Sequence, residues 1–310
     1  MQTWTFETIK ELFELPLMDL LYQAQTVHRE NFDSNKMQIS SLLSVKTGKC
    51  QENCAYCPQS AHFKTGLNKE SFLSLRDVIA AAKKAKALGA SSFCVSASGS
   101  APQPEQFPQY LAMVKEVKKI GLNACATLGE LSAEQVKQLD EAGLNFYNHN
   151  IDTSPEFYSQ ITTTRKFSDR LKTINHLANS NIKVCCGVII GMGESIADRV
   201  NMLLALTQLP QNPDVIPINR LIKIKNTPLE HVPDIDNFEY VSMLAVARIV
   251  FPKTIIALAA GRNEMSEEMQ ALCIFAGANA MHVGEKLLVT PLPDVSQDNQ
   301  FLDKLGIQAC

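Results

Sequence analysis

From residue 39 onward, short runs rich in β-branched and apolar residues alternate with amphipathic stretches about 11 to 16 residues long. The runs begin near Ile39 (ISSLLSV), Ser92 (SFCVS), Leu122 (LNACA), Asn145 (NFYNHN), Lys183 (KVCCGVII), Val215 (VIPINRLI), Thr254 (TIIALAA) and Ala280 (AMHVG). Between them lie helical patterns over Leu75–Leu88, Phe107–Ile120, Ser132–Ala142, Ser168–Asn179, Ser195–Leu209, Phe238–Val250 and Glu264–Ala276. Gly89, Gly121, Gly143 and Gly277 each follow a helical run and suit the left-handed C-cap position. Eight strands with intervening helices predict an α/β fold of the parallel (β/α)8, TIM-type barrel class. The rival with the same alternation is an open doubly wound sheet, but its G-x-G-x-x-G after the first strand is missing.

Residues 1–38, with Leu12, Leu15, Leu20 and Leu21, predict an N-terminal helical extension, and residues 39–285 the barrel. Residues 286–310, carrying Pro291 and Pro293, form a C-terminal segment expected over one barrel mouth.

The 310 residues hold 29 Lys+Arg against 32 Asp+Glu, a net charge of −3, so there is no basic footprint for nucleic acid. No stretch reaches the ~18 apolar residues of a membrane span. Met1–Lys10 lacks a basic n-region and an apolar h-region, so a cytoplasmic protein is expected. In a reducing compartment nine cysteines do not form a disulfide framework. They are core residues or metal ligands, and their positions decide.

Cys50, Cys54 and Cys57 form C-x3-C-x2-C immediately after strand one, on the face where barrels carry their active sites. Three thiolates alone do not complete a tetrahedral zinc site, but they can hold three corners of a 4Fe-4S cluster and leave one iron open. The alternatives are a zinc site completed by a residue such as His62, or coincidental core cysteines. The triplet, with Tyr56 before its third cysteine, resembles the radical S-adenosylmethionine (SAM) superfamily. That resemblance implies SAM chelated to the open iron, Tyr56 near its adenine, and a 5′-deoxyadenosyl radical as the reagent.

Strand parity defines a second group. Ser92, Cys94 and Ser96 share one face of strand two, and Asn123, Cys125 and Thr127 one face of strand three. Of Cys185 and Cys186, which face opposite ways, Cys185 is the better inward candidate. Cys94, Cys125 and Cys185 thus place three thiols in one lumen, which fits a second iron-sulfur centre or, taken singly, core packing. Asn148, Asn150 and Asp152 follow one another at alternate positions of strand four, and Asn219 on strand six adds another inward amide. Buried amides and a carboxylate require polar partners, supplied by a ligand or by a mutually satisfied network.

The runs LLSVKTGKCQENCAYCPQSAHFKTGL, FCVSASG, NACATLGELS, FYNHNIDTSPEFY, KVCCGVIIGMGE, PINRLIKIKNTPL and AVARIVFP followed by AAGRNEM are together similar to the biotin synthase family, from about Thr5 to Gly306. The resemblance implies sulfur insertion into dethiobiotin. It assigns Cys50, Cys54 and Cys57 to the SAM cluster, and Cys94, Cys125 and Cys185 to a 2Fe-2S cluster that donates sulfur. It places Asn150 and Asp152 at the SAM ribose, Arg170 near its carboxylate, Asn148 and Asn219 at the ureido ring of dethiobiotin, and Gly187–Glu194 along the adenine. It also implies an electron donor such as flavodoxin, the iron-sulfur assembly machinery and a homodimer. Cys186, Cys273 and Cys310 are left as bystanders.

Three positions depart from the family pattern. Ala257 stands where an Arg commonly provides the fourth ligand of the second cluster, and alanine cannot coordinate iron. Arg262 is a separate Arg that family members also carry. Ser92 replaces a common Arg, and Val289 replaces a Thr at the substrate carboxylate, leaving Thr290 alone. These changes are compatible with another auxiliary cluster type, with water or an exogenous fourth ligand, or with a changed substrate. Two further readings are a radical SAM enzyme acting on another small substrate without sulfur insertion, and a non-catalytic iron-sulfur or zinc scaffold. The intact GMGE run and Asn150 with Asp152 speak against the scaffold.

Overall fold

A computed structural model describes residues 3–68, 71–284, 286–287, 289–292 and 295–310. Two helices, α1 (Phe6–Phe13) and α2 (Leu17–Asn31), precede the first strand, β1 (Lys36–Lys46). Then follow α3 (Leu75–Ala87), β2 (Ser92–Ala97), α4 (Phe107–Ile120), β3 (Asn123–Thr127), α5 (Ala133–Glu141) and β4 (Phe146–Asn148). A short α6 (Tyr158–Ile161) and α7 (Phe167–Leu177) lead to β5 (Lys183–Cys185) and β6 (Val188–Ile190), then α8 (Ile196–Thr207) and β7 (Val215–Arg220). The barrel ends with α9 (Asn237–Val250), β8 (Ile255–Leu258), α10 (Glu267–Phe275) and β9 (Ala280–His282). Beyond it lie the pair β10 (Lys286–Leu287) and β11 (Thr290–Pro291), α11 (Val295–Leu305) and β12 (Gln308–Ala309).

Strands β1 to β9 pair in parallel, and β1 also pairs with β9 through Gln38–Ala280, Ile39–Met281 and Ser40–His282. The sheet therefore closes into a TIM-type (β/α)8 barrel, which excludes the open doubly wound alternative. The sequence dictates the local starts: Ser74, Ser132 and Ser195 cap α3, α5 and α8 in boxes closed by Asp77, Gln135 and Asp198. Outward positions of the strands, among them Phe93, Val95, Ala124, Val184, Cys186, Ile216 and Ile256, are fully buried against the helices. Pro293 lies outside the described residues.

Two local departures from the strand pattern shape the site. KVCCGVII is not one strand: β5 and β6 occupy one barrel position on either side of Cys186 and Gly187, in the same register against β7. Opposite the break stands Pro217, which has no N–H to give to the ladder. Strand β4 stops at Asn148, so Asn150 and Asp152 are not strand residues as the alternation suggested. Their backbone instead follows the break. The Gly187 N–H donates to Asn150 Oδ1 (3.0 Å), the Asp152 N–H to the Gly187 carbonyl (3.3 Å), and Asp152 takes a left-handed φ of 66°.

Helices α1 and α2 pack on α8 and α9. On α9, Arg248 is fully buried and has no carboxylate partner among the described residues. Its guanidinium donates to the carbonyls of Gly277 (2.8 Å), Thr254 (2.7 Å) and Pro252 (3.2 Å) and lies 4.7 Å from the centroid of the Phe32 ring. His28 is buried beside it with neither ring nitrogen hydrogen-bonded. Burial first, then the charges of Arg248 and Arg29, hold the His28 pKa down at about 4.

Because this pKa lies below the ordinary 6.5 of the unfolded chain, the unfolded state takes up the proton first. The His28 contribution is fully present above about pH 6.5 and is lost as pH falls toward 4. Urea unfolding at pH 7.5 and pH 5 is expected to show this loss, and His28→Leu to reduce it by on the order of 2 kcal/mol. An unchanged pH slope in the variant would show that other groups set it.

Candidate active site

The C-terminal mouth of the barrel opens into a cavity of about 330 Å³. Cys50, Tyr56 and Cys57 line it from the loop after β1, and Cys94, Cys125 and Cys185 from β2, β3 and β5. Asn148, Asn150, Asp152, Arg170, Asn219, Val289 and Thr290 line it as well. Cys54 is buried within the loop just beneath. Sequence positions spread over 240 residues, from Cys50 to Thr290, thus meet at one place. Cys186 and Cys273 are buried outside the cavity, and Cys310 is exposed.

The cysteine loop is folded by its own backbone: the Cys50 N–H donates to the Gln59 carbonyl (3.0 Å), and the Ala61 N–H to that of Cys50 (2.8 Å). It is clamped from outside by the segment after α6. Asn53 donates from Nδ2 to Thr163 Oγ1 (2.7 Å) and accepts at Oδ1 from Thr162 Oγ1 (2.9 Å) and the Thr163 N–H (2.9 Å). Glu52 accepts from Thr164 and pairs with Arg165 at 3.2 Å. Arg165, nearly buried, also lines the cavity. His62 is exposed, with Nε2 at 2.9 Å from the Gln51 carbonyl, so it completes no zinc site. Among the described residues no three His, Cys, Asp or Glu side chains could hold a single metal ion. A multi-iron cluster, with each thiolate on a different iron, requires a wider spread.

Burial pushes the Cys57 thiol up to about 12 and raises that of Cys54. Two cations oppose this at Cys54, Arg170 and Arg165. Without a metal, then, these thiols stay protonated at neutral pH, and metal binding releases their protons. In the second group Cys94 and Cys125 share a hydrogen bond that favours the thiolate on Cys94 and keeps the proton on Cys125. Thr127 Oγ1 lies 3.5 Å from Cys94 Sγ. Burial raises Cys185 well above the ordinary thiol range, and the next largest influence is Cys94.

Asp152 forms a buried ion pair with Arg170, whose Nε donates to Tyr158 Oη (3.1 Å). Asn148 Oδ1 is a buried acceptor with no hydrogen-bond partner, on a residue that lines the cavity. Asn219 is pinned: its Nδ2 donates to the Val188 carbonyl (3.0 Å) and its Oδ1 accepts from the Ala260 N–H (3.1 Å). One N–H and one lone pair remain for another partner.

Of Gly187–Glu194, Ile189 lines the cavity, while Glu194 turns away to accept from the Gly191 (2.9 Å) and Met192 (2.7 Å) N–H groups and Arg199 Nε (2.9 Å). Ser92 and Ala257 do not line the cavity. Arg262 is committed to Asp298 in a bidentate pair (2.6 and 2.9 Å).

Sequence reasoning missed Glu52, Asn53, Arg165, His149 and His282. His149 and His282 line the cavity, and burial lowers both, His282 to about 4, so each is neutral near pH 7. Inward parity could have found His282. Nothing local marks Arg165, because its role comes from contact with a loop more than a hundred residues earlier.

A closed parallel barrel with a cysteine triplet after its first strand and a polar, cysteine-lined mouth is the architecture of the radical SAM enzymes, and residues 44–206 match the Radical SAM superfamily. Residues 217–308 match the Biotin and Thiamin Synthesis associated domain. The chain belongs to the biotin synthase family. It is 54% identical over 307 residues to the biotin synthase of Rickettsia felis, covering 99% of each, and 50% identical over 305 residues to that of Idiomarina loihiensis, covering 98% of this chain and 88% of that one.

Among solved structures, methylornithine synthase (PylB) superposes with a TM-score of 0.85 at 19% identity, over 100% of this chain and 95% of that one. The FeFe-hydrogenase maturase HydG of Carboxydothermus hydrogenoformans gives 0.86 at 15%, over 99% and 76%. These two establish the fold.

The break between β5 and β6 depends on Gly187, where a Cβ would stand 1.9 Å from the Pro217 carbonyl oxygen. Gly187→Ala is therefore expected to destabilise the metal-free protein by roughly 1–3 kcal/mol, read from the urea midpoint. A wild-type midpoint would show that β7 can move away without cost.

Proposed function

We propose that this chain converts dethiobiotin to biotin by inserting sulfur, with SAM as the radical source. The observation that carries the reading is the convergence of both cysteine groups on one cavity beside an unpartnered amide oxygen, Asn148 Oδ1. Cys50, Cys54 and Cys57 would hold a 4Fe-4S cluster, and Cys94, Cys125 and Cys185 an auxiliary cluster of the 2Fe-2S or another type. When bound, the first supplies the electron that cleaves SAM reductively and the second supplies the sulfur atom.

The chain's own residues position the reactants and keep water out. Tyr56 and Ile189 provide an apolar bed for the adenine. Asn150 and Asp152 bind the ribose, and the Asp152–Arg170 pair presents a fixed guanidinium to the SAM carboxylate. Asn148 Oδ1 accepts a ureido N–H, and Asn219 contributes its remaining N–H to the ureido oxygen. Leu221, Ile222 and Ile224, which line the same cavity, suit the alkyl part of dethiobiotin, and Thr290 its carboxylate. His149, between Asn148 and Asn150 in the chain, is neutral and adds no positive charge at the ureido site.

In this reading residues 1–38 are an extension, 39–285 the catalytic barrel and 286–310 a segment that closes the mouth. A flavodoxin-like protein supplies electrons, and iron-sulfur assembly proteins load the chain. The enzyme works as a cytoplasmic homodimer. No helix among the described residues is long and apolar enough to cross a membrane.

The test is anaerobic reconstitution with iron and sulfide, followed by incubation with SAM, reductant and dethiobiotin. Biotin with two 5′-deoxyadenosines per product is expected, and 5′-deoxyadenosine without biotin would overturn the product assignment. Asn148→Ala should raise KM for dethiobiotin about 10-fold, a loss of roughly 1.4 kcal/mol for one hydrogen bond. An unchanged KM would remove Asn148 from the ureido site. Asn53→Ala, which releases the clamp on the cysteine loop, is expected to weaken iron retention about 10-fold, measured as the rate of iron loss to a chelator. A wild-type rate would show that the loop holds its shape alone.

A further inference from the structure

The auxiliary cluster of the proposed function lacks a fourth protein ligand at position 257, where the alanine methyl offers no donor atom. The thiols come from β2, β3 and β5, so the gap lies on the arc of the barrel running from β8 through β9 to β1. On that arc the described cavity-lining residues are Leu42, Ala259, Ala260 and His282, with Val289 and Thr290 beyond β9. Among them only His282 carries a nitrogen or sulfur donor.

We propose that His282 supplies the fourth ligand of the auxiliary iron-sulfur cluster in place of the missing arginine. The inference rests on the reading that Cys94, Cys125 and Cys185 hold that cluster. His282 sits on β9, which pairs with β8 through Ala257–Ala280, and its side chain alternates with the buried Met281. Ser40 pairs with His282 on one side and with Ser92 on the other, so one strand separates His282 from the strand of Cys94.

The backbone of His282 is fixed at the lumen wall. Its carbonyl accepts from Arg262 Nη2 at 3.0 Å, and Arg262 is itself locked by Asp298. The Val283 N–H donates to the Ser40 carbonyl at 2.9 Å. The ring, by contrast, has no hydrogen-bond partner among the described residues. Nδ1 is buried without a hydrogen bond, and no described residue bonds Nε2.

Several other polar groups that line the cavity are already engaged. Thr127 is on Cys94, Ser98 Oγ donates to the Gly48 carbonyl (2.6 Å), Arg165 is on Glu52 and Arg170 on Asp152. His149 stacks on Tyr147 (6.3 Å between centroids) and lies on the far side of the lumen, after β4. A neutral imidazole is an established iron donor, including in iron-sulfur centres where it replaces thiolate.

The test uses the full chain with Cys50→Ala, Cys54→Ala and Cys57→Ala, reconstituted anaerobically with 57Fe and sulfide so that only the auxiliary cluster forms. Pulsed EPR of the dithionite-reduced protein, made with 15N-histidine, should show a histidine nitrogen coupling that His282→Phe abolishes. A cluster without that coupling overturns the proposal and leaves the three-thiol reading standing, whereas absence of any cluster overturns both. If the triple variant does not fold, Mössbauer spectra of the oxidised protein with all cysteines intact decide. A doublet lost in His282→Phe supports the ligand, and identical spectra overturn it.

Discussion

Pairing of β1 with β9 turns an alternation of side chains into an inside and an outside, and the chemistry of this chain depends on that closure. In a flat sheet with the same pairing Cys94, Cys125 and Cys185 would share one face without converging. In the barrel one face of each strand points to a common axis, so thiols from three strands share one lumen. The opposite face buries Phe93, Val184 and Ile216 against the helices, and this apolar layer surrounds the polar lumen. The break at Gly187 fits the same frame. It keeps the β5–β6 register against β7 while freeing the chain after β4 to turn Asn150 and Asp152 into the mouth.

Electrostatically the mouth contains more potential anions than the protein alone can support. Burial keeps Cys54, Cys57 and Cys185 protonated, the hydrogen bond to Cys94 and then burial do so for Cys125, and Arg165 and Arg170 are already paired with Glu52 and Asp152. Such a site is stable as a set of neutral thiols and becomes a set of thiolates only when iron supplies the positive charge.

Much of this was legible in the sequence because it rests on period and spacing. The strand starts and the inward positions of Cys94 and Cys125 follow from alternation and the cysteine triplet from its spacing, while alternation alone leaves Cys185 and Cys186 as alternatives. Asn150 and Asp152 were placed at the site for a reason that proved incomplete. They reach it through a turn built on Gly187, and Pro217 opposite, in another strand, is invisible to a local pattern. Asn53, Glu52 and Arg165 were not legible, because hydrogen bonds between distant segments leave no periodic trace. Glu194, conspicuous in its glycine-rich run, holds a turn together and faces away from the cavity.

The clamp by which Asn53 grips Thr162 and Thr163 joins residues about 110 positions apart. During synthesis at about 5–20 residues per second, the cysteine loop emerges roughly 5–20 s before its clamp exists. Throughout that interval Cys50, Cys54 and Cys57 belong to an unanchored segment of nascent chain, open to oxygen and to any metal at hand. The ordering of iron delivery is therefore written into the topology: the first half of the barrel must be made and docked before the triplet has a fixed shape to receive a cluster.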